Sequence, residues 1–543
     1  MKRLLALMLA AFMLVGIIAA VASCENGGTS TDPAKTEATT KGGTTPTEPE
    51  KTEASTQGGD TPTEPAKTEA STQGGDTPTE PVTTTGGSNP GGDTGDGYSK
   101  PAGYLDVDFG GRTFSFVTTS DRNDPEDGFR WNTEREVTVE SRTGGTIIDT
   151  AVYDRNQVMK KLYNCEIKAL EETASTLIQN DVNSGTNEYD FGIQQTNGML
   201  TNKGGFYTNI YDLNPDFNLP GWNKTFFDQF TVRDKNGVDK IYNFDADCNL
   251  AGYRGTWVLY CNLDLYEQNF TESIFDIVNN GEWTIDKMIE MVSAVAQDNG
   301  DQVYTPGDDV YGLMSSTYNF PAFITGVGMR LVAVDPETHS FSVSTEQILA
   351  NNAVAAVDKL CQLCALDGMY FQSYVTAREQ LVAGKTLFMG EVLDVTERMR
   401  NDENLNVTVL PEPLYEAQEN PEYKFYVNGK ASYYMVSKNA CGGDKEMVSD
   451  FLNVWVYHSN KIVFPAFRQA YGSIYCQNER AMEMLDYIVN GRQYDLGYYQ
   501  GIMGQIGTMI TNNKNQLNRA AATYKNTLET YVNTFVDNMN ASE

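Results

Sequence analysis

The sequence predicts a layered α/β fold in two lobes, on three observations. Strand-forming and helix-forming stretches alternate as β–α–β–α–β between Tyr104 and Ile193, the order of a mostly parallel sheet with helices on its faces. A second α/β run begins at Thr256-Trp257-Val258-Leu259-Tyr260. The stretch from Pro101 to Glu543 is too long for one typical domain and about right for two.

The elements follow from local pattern. Tyr104 to Phe109 alternates, Gly110-Gly111 turns, and Thr113 to Val117 continues with β-formers, which reads as a strand pair. Asp149 reads as the N-cap of a helix to about Tyr163, with Val152, Met159 and Leu162 on one face. Strands at Glu166–Ala169 and Tyr189–Ile193 flank a helix near Ser175–Asn183. In the second run, Thr284 caps a helix through Ile285, Met288, Ile289 and Val292. A helix over Leu349–Leu366 and strands at Thr386–Met389 and Val407–Leu410 follow. From Met503 to Met539 the chain is largely helical. Leu517, Ala521, Tyr524, Leu528, Tyr531, Phe535 and Met539 form one apolar stripe, whose opposite side is rich in Asn and Thr rather than basic residues. That favours a core-facing stripe over a membrane-surface one.

Ahead of these lobes stands a different kind of sequence. Lys2 and Arg3 precede an apolar run from Leu4 to Ala20, then Val21-Ala22-Ser23-Cys24, and the chain turns polar at Glu25. These are the parts of a secretory signal. A cysteine directly after two small residues resembles the lipobox of bacterial lipoproteins, which implies that residues 1–24 are a lipoprotein signal peptide ending in the lipobox cysteine, with a diacylglyceryl group on Cys24, which becomes the mature N-terminus. An ordinary signal peptide with an incidental Cys24, or an uncleaved membrane helix, is the competing reading; the abrupt change of composition after Cys24 favours lipidation. Residues 25–100 repeat a unit beginning Lys-Thr-Glu-Ala at Lys35, Lys51 and Lys67 and ending Pro-Thr-Glu-Pro, as at Pro62 to Pro65. With no apolar residues to bury between units, nothing offsets the entropy of ordering, so a disordered linker is expected. As a flexible coil it spans on the order of 50 Å, and fully stretched ~250 Å. Such a spacer suits display from a cell membrane through the wall of a Gram-positive-type bacterium.

Composition removes several function classes. A net charge of −33 argues against nucleic acid or anionic membrane as partner. Two histidines, His339 and His458, supply no His-based zinc site or triad. Beyond Cys24, seven cysteines remain, and an odd number is no disulfide framework. Cys361-Gln362-Leu363-Cys364 has redox spacing, but it continues an apolar helical stretch, which favours core packing. Gly384-Lys385-Thr386 fails as a phosphate loop because Glu379 stands where glycine is needed. Asp245-Ala246-Asp247-Cys248-Asn249 starts like a calcium loop, yet Leu250 occupies the glycine position and Thr256 that of the closing Glu. Neither a cofactor nor a metal is expected.

Several segments, scattered over most of Gly103 to Tyr499, resemble the family 1 extracellular solute-binding proteins, the carbohydrate-receptor lipoproteins of ABC importers. Ile148-Asp149-Thr150-Ala151-Val152-Tyr153-Asp154-Arg155-Asn156 is similar to an early helix with a Tyr-x-Arg-Asn element, and Tyr189 to Ile193 to a strand ending at the cleft. Trp257 to Asn262, followed by Gly281-Glu282-Trp283-Thr284-Ile285-Asp286, resembles the family's strand and Gly-x-Trp-Thr-x-Asp helix start. Val382 to Met389 resembles a Gly-Lys strand entry, and Met484 to Ile488 with Tyr494 to Gly497 a late helix and its end. No one of these is specific alone; their order along the chain carries the resemblance. Cys261 and Leu263 around Asn262, and Leu414 after Pro411-Glu412-Pro413, depart from the usual residues and bear on ligand class rather than fold.

The resemblance implies a two-lobed periplasmic-binding-protein-like fold, type II-like, with lobes joined by crossing hinge segments and closing on ligand. The expected division is lobe 1 over roughly 101–210 plus 385–440 and lobe 2 over roughly 250–380 plus 445–543. It further implies a non-enzymatic, monomeric substrate-binding lipoprotein on the extracellular face, capturing a carbohydrate and handing it to the membrane subunits of an ABC permease. A binder of peptide or another solute on the same scaffold, and a surface glycan-active enzyme with two carboxylates across a cleft, are the alternatives. A sugar site needs rings against pyranose faces and acceptors for hydroxyls. The candidate ligand contacts are Trp257, Asp245 and Asp247 at the implied cleft wall, Gln195 and Asn197 beyond the Tyr189–Ile193 strand, Glu391 beyond the Thr386 strand, and Trp222 in a loop tip. Trp283 and Trp455 read as core.

Overall fold

The computed structural model describes residues 97–541 apart from 105–106, 119–132, 196–204, 400–404, 430, 475 and 477. Cys24, the linker repeats and Asn197 lie outside the described residues. All described residues belong to one compact unit, Gly86–Glu543.

The first sheet starts with β1 (Arg112–Thr118), whose alternation buries Phe114 and Phe116. Helix α1 (Ile147–Tyr163) and β2 (Cys165–Glu171) follow, then α2 (Ala174–Ser184) and β3 (Phe191–Gln195). Strand β1 pairs in parallel with both β2 and β3, Phe116 lying opposite Ala169 and Phe191. Helix α1 begins earlier than expected. Thr146, not Asp149, is the N-cap: Thr146 Oγ1 accepts from the Asp149 amide at 3.1 Å, and the Asp149 carboxylate accepts from the Thr146 amide at 2.7 Å. This reciprocal box satisfies two otherwise orphaned donors. Residues 107–109 form no strand, because the backbone there bonds to the end of α1, Phe109 donating to the Tyr163 carbonyl at 2.8 Å.

From β4 (Asn243–Phe244) the chain leaves the first sheet, passes through α3 (Leu250–Arg254) and enters β5 (Trp257–Asn262) of the second. That sheet adds β6 (Tyr311–Met314), β7 (Met369–Tyr370), β8 (Thr386–Val392) and β9 (Val407–Leu410). Its helices include α4 (Ile285–Val295), capped by Thr284 Oγ1 on the Lys287 amide, α5 (Ala353–Cys364) and α6 (Tyr374–Val382). After β10 (Phe425–Tyr426) the chain returns to the first sheet as β11 (Ser432–Val436).

The two sheets have the same plan. Their orders are β2-β1-β3-β11-β4 and β7-β6-β8-β5-β9. Each has three parallel strands, then an antiparallel strand, then an edge strand antiparallel to that one. The antiparallel member is in each case the strand that has just crossed from the other lobe. Both sheets are therefore mixed rather than mostly parallel.

The division of the chain differs from the expected one. Strands β8 and β9, within 385–440, hydrogen-bond into the second sheet. All seven residues of β8 are buried, so it needs neighbours on both edges and covered faces. Conversely, helix α7 (Lys445–His458) packs on the first sheet: the Phe451 ring stacks on Phe114 at 3.8 Å, and Trp455 lies 5.2 Å from Phe116. The chain then crosses again, and α8 (Ala481–Asn490) packs beside β9. Helices α9 (Ile502–Thr511) and α10 (Leu517–Asn540) end the chain. The stripe on α10 is buried as its periodicity predicts, except that Val532 takes the buried place expected of Tyr531. No described helix is long and apolar enough to cross a membrane.

Cys361 is buried and Cys364 half-buried on α5, and all seven described cysteines are free thiols. Burial pushes both thiols up, away from the thiolate a redox pair uses.

Candidate functional site

The crossing segments define where the lobes meet. Thr256 bridges Val427 in antiparallel fashion, and the Asn428 amide donates to the Gly255 carbonyl at 2.8 Å, so the outgoing and returning chains run side by side. Val392, the last residue of β8, pairs with Trp257, the first of β5. Gln195, the last of β3, pairs with Ser432, the first of β11. The C-terminal ends of the parallel strands in both sheets thus lie at the crossing. Ligands of α/β proteins collect outside such ends, which makes the space between the lobes the candidate site.

Of the expected contacts, Gln195 is half-buried at the end of β3. Glu391 and Trp257 both lie at this edge, but Glu391 pairs with Val258 and Trp257 with Val392, so their side chains stand on opposite faces of the sheet. Both are nearly out of water; Glu391 accepts from the Val392 amide at 3.1 Å, and the Trp257 indole N–H has no acceptor.

Asp245, Asp247 and Trp222 form a second group beyond β4, joined by a bridge between Trp222 and Ala246. The Asp245 carboxylate is surrounded by protein donors: Arg492 Nη1 at 3.0 Å, Tyr494 OH at 2.8 Å, Asn223 Nδ2 at 2.6 Å and Asn249 Nδ2 at 2.7 Å. Asp247 accepts from Tyr253 OH and, at 2.7 Å, from Asn460 Nδ2, and burial pushes its carboxyl up. The Trp222 ring is buried among Phe217, Phe227 and Phe244, with centroids 5.2–6.0 Å away. No group of three or more potential ligands for a metal ion occurs among the described residues; Leu250 starts helix α3 where a calcium loop would continue.

The second lobe contributes residues that sequence reading missed. Beyond β6 come Ser315 to Tyr318, and beyond β7 come Phe371 to Tyr374, the two loops joined by a bridge between Ser316 and Gln372. Tyr318 is 68% exposed, more than any other large apolar side chain described. Its ring centroid lies 6.4 Å from that of Tyr374, and Arg378 sits 6.0 Å over the Tyr374 ring. Phe371 packs behind them on Phe320 at 5.2 Å. The available signal was a tyrosine just past the short apolar run Tyr311-Gly312-Leu313-Met314, which is too short to stand out by period alone. An exposed ring pair at strand ends, beside hydroxyl and amide side chains, offers the flat apolar faces and hydrogen-bonding groups that a polyhydroxylated ligand uses.

No family model matches the chain, and no curated relative matches it. Among solved structures, it is similar to a cyclic α-maltosyl-1,6-maltose binding protein from Arthrobacter globiformis, at 11% identity and a TM-score of 0.47, covering 78% of this chain and 99% of that one. The galacto-N-biose-/lacto-N-biose I-binding protein of an ABC transporter from Bifidobacterium longum matches at 12% identity and a TM-score of 0.46, over 79% of this chain and 98% of that one. UgpB from Mycobacterium tuberculosis, in complex with glycerophosphocholine, matches at 11% identity and a TM-score of 0.47, over 71% and 95%.

Proposed function

We propose that this chain is the substrate-binding component of an ABC importer, a non-enzymatic receptor that captures an oligosaccharide between its lobes and delivers it to a membrane permease. The observation that carries the reading is the shared plan of the two sheets. Each takes an antiparallel strand from the chain that has just left the other lobe, and both turn the C-terminal ends of their parallel strands to the crossing. Two bodies joined by adjacent crossing segments can close on a ligand by hinge motion. In this reading Tyr318 and Tyr374 stack on pyranose faces, Gln195, Asn197, Glu391 and Trp257 line the cleft, and Asp245, Asp247 and Trp222 support it from behind. Cys24 carries the lipid that holds the receptor at the outer face of the cell membrane, and residues 25–100 are its tether. The receptor works as a monomer.

Titration calorimetry of the full chain against a panel of oligosaccharides tests this. One glycan class gives saturable heat, and Tyr318→Ala weakens it roughly tenfold or more with an unchanged melting temperature. Absence of heat with every glycan, together with turnover of a polymer, overturns it.

A further inference from the structure

Arg254 closes the outgoing crossing segment, and its guanidinium reaches both lobes. Nη1 lies 3.1 Å from Glu136 Oε1, Nη2 lies 3.8 Å from Glu397 Oε2, and Nε donates to Tyr471 OH at 3.1 Å. Tyr471 OH donates in turn to Glu397 at 3.2 Å. The Arg254 and Glu136 side chains are only 13% and 2% exposed, so the pair is only weakly screened by solvent.

The two carboxylates are each fixed to a different lobe. Glu136 belongs to a short helix, Glu134–Val137, beside α1. Arg155 Nη2 donates to the Glu136 and Val137 carbonyls at 3.0 and 2.8 Å, and Asn156 Nδ2 donates to Val137 at 2.9 Å. The Arg155 guanidinium is itself held flat over the Trp455 ring, 3.7 Å from its centroid. This is the structural work of the Tyr-x-Arg-Asn element of α1: it holds the Glu136 arm rigidly on the first lobe. Glu397 lies in the short helix Val395–Met399 after β8. Tyr260 OH on β5 accepts from the Thr396 amide at 3.0 Å and lies 3.0 Å from Thr396 Oγ1, which fixes that helix to the second sheet.

We propose that Arg254 is a positioning residue for the closed cleft: a charge bridge from the crossing segment that holds Glu136 of the first lobe and Glu397 of the second at a set separation. When the lobes part, the guanidinium cannot keep both carboxylates and Tyr471. One arm is then released toward solvent, which biases the hinge toward the closed arrangement before and after capture. Burial pushes Glu136 up to about 7, while the Arg254 guanidinium and then the Ala251 and Leu250 amides pull it back.

The inference rests on the two-lobed receptor reading, and its test needs no ligand. Spin labels at Asn183→Cys on α2 and Glu379→Cys on α6, both exposed, report the interlobe distance in the full chain by pulsed electron paramagnetic resonance. With Arg254 intact the distribution is narrow. Arg254→Met, and more gently Glu397→Gln, raise a longer-distance population by roughly tenfold, and Arg254→Lys restores part of the narrow component. If Arg254→Met does not fold, Glu397→Gln decides, since that side chain is 26% exposed and only one arm is lost. Distances unchanged by Glu397→Gln, or by a folded Arg254→Met, overturn the bridge and leave the ligand class untouched. A flat glycan titration with shifted distances does the reverse.

Discussion

The guanidinium of Arg492 meets the carboxylate of Asp245 at 3.0 Å, with both side chains almost entirely out of water. Arg492 also lies over the Tyr253 ring, 3.8 Å from its centroid. Removing one partner of such a pair leaves an uncompensated buried charge. Asp245→Ala is therefore expected to lower stability by about 3–5 kcal/mol, read by denaturant unfolding. The double substitution Asp245→Asn with Arg492→Met should cost less than Asp245→Ala alone, because the Arg492 charge is removed together with its closest partner. A single-mutant loss below about 1 kcal/mol would contradict this account of Asp245.

Gly281 opens the Gly-x-Trp-Thr element in the left-handed region, at φ +68°, and a Cβ there would sit on the Gln418 carbonyl oxygen. The Gln418 amide donates back to Gly281 at 3.1 Å, so the two backbones are in direct contact. Gly281→Ala is expected to cost about 1–3 kcal/mol through strain and overpacking. Its exposed neighbour makes the control, Glu282→Ala staying within about 0.5 kcal/mol of the parent. Equal, small effects in chemical denaturation would show that the turn tolerates a side chain.

His458 is buried on α7, with Nε2 2.9 Å from Tyr163 OH. Burial, and then the nearby Arg155, hold its imidazole down at about 4, against 6.5 when free. Between those values the unfolded chain binds more protons than the native one. Stability from this group is thus complete above about pH 6.5 and falls as pH drops toward 4. Glu136 and Asp495, pushed by burial up to about 7 and about 6, act in the opposite sense over part of this window. The informative quantity is therefore the stability of the parent minus that of His458→Gln. This difference should decrease by up to about 3 kcal/mol as the pH is lowered. A flat difference from pH 7 to 4 would mean that His458 is protonated at no cost.

Elements with strong local patterns were legible in the sequence. Val407–Leu410 is a strand at its expected limits, Thr284 caps its helix, and the apolar stripe from Leu517 to Met539 is buried with a single exchange. What local pattern cannot carry is partnership. Ser432–Val436 sits between β3 and β4 because of hydrogen bonds to strands remote in the chain, and nothing near it in sequence marks that place. The same holds at the site. Two aspartates in a polar stretch look like free acceptors, but the donors around Asp245 come from Asn223, Arg492 and Tyr494. Trp222 looked like a loop-tip ring, and the phenylalanines that bury it become its neighbours only in the fold.

The pairing of Gln195 with Ser432 bears on how this molecule comes into being. Strands β3 and β4 cannot hydrogen-bond to each other in the native sheet; a slot between them waits for β11. Until the second lobe's strands have been synthesised and the chain has turned back, the early half carries two open edges and an uncovered apolar face. Closing that long loop costs entropy before any contact repays it. Maturation should therefore be slow and cooperative across both lobes, and a C-terminally truncated chain would be prone to self-association through the vacant slot.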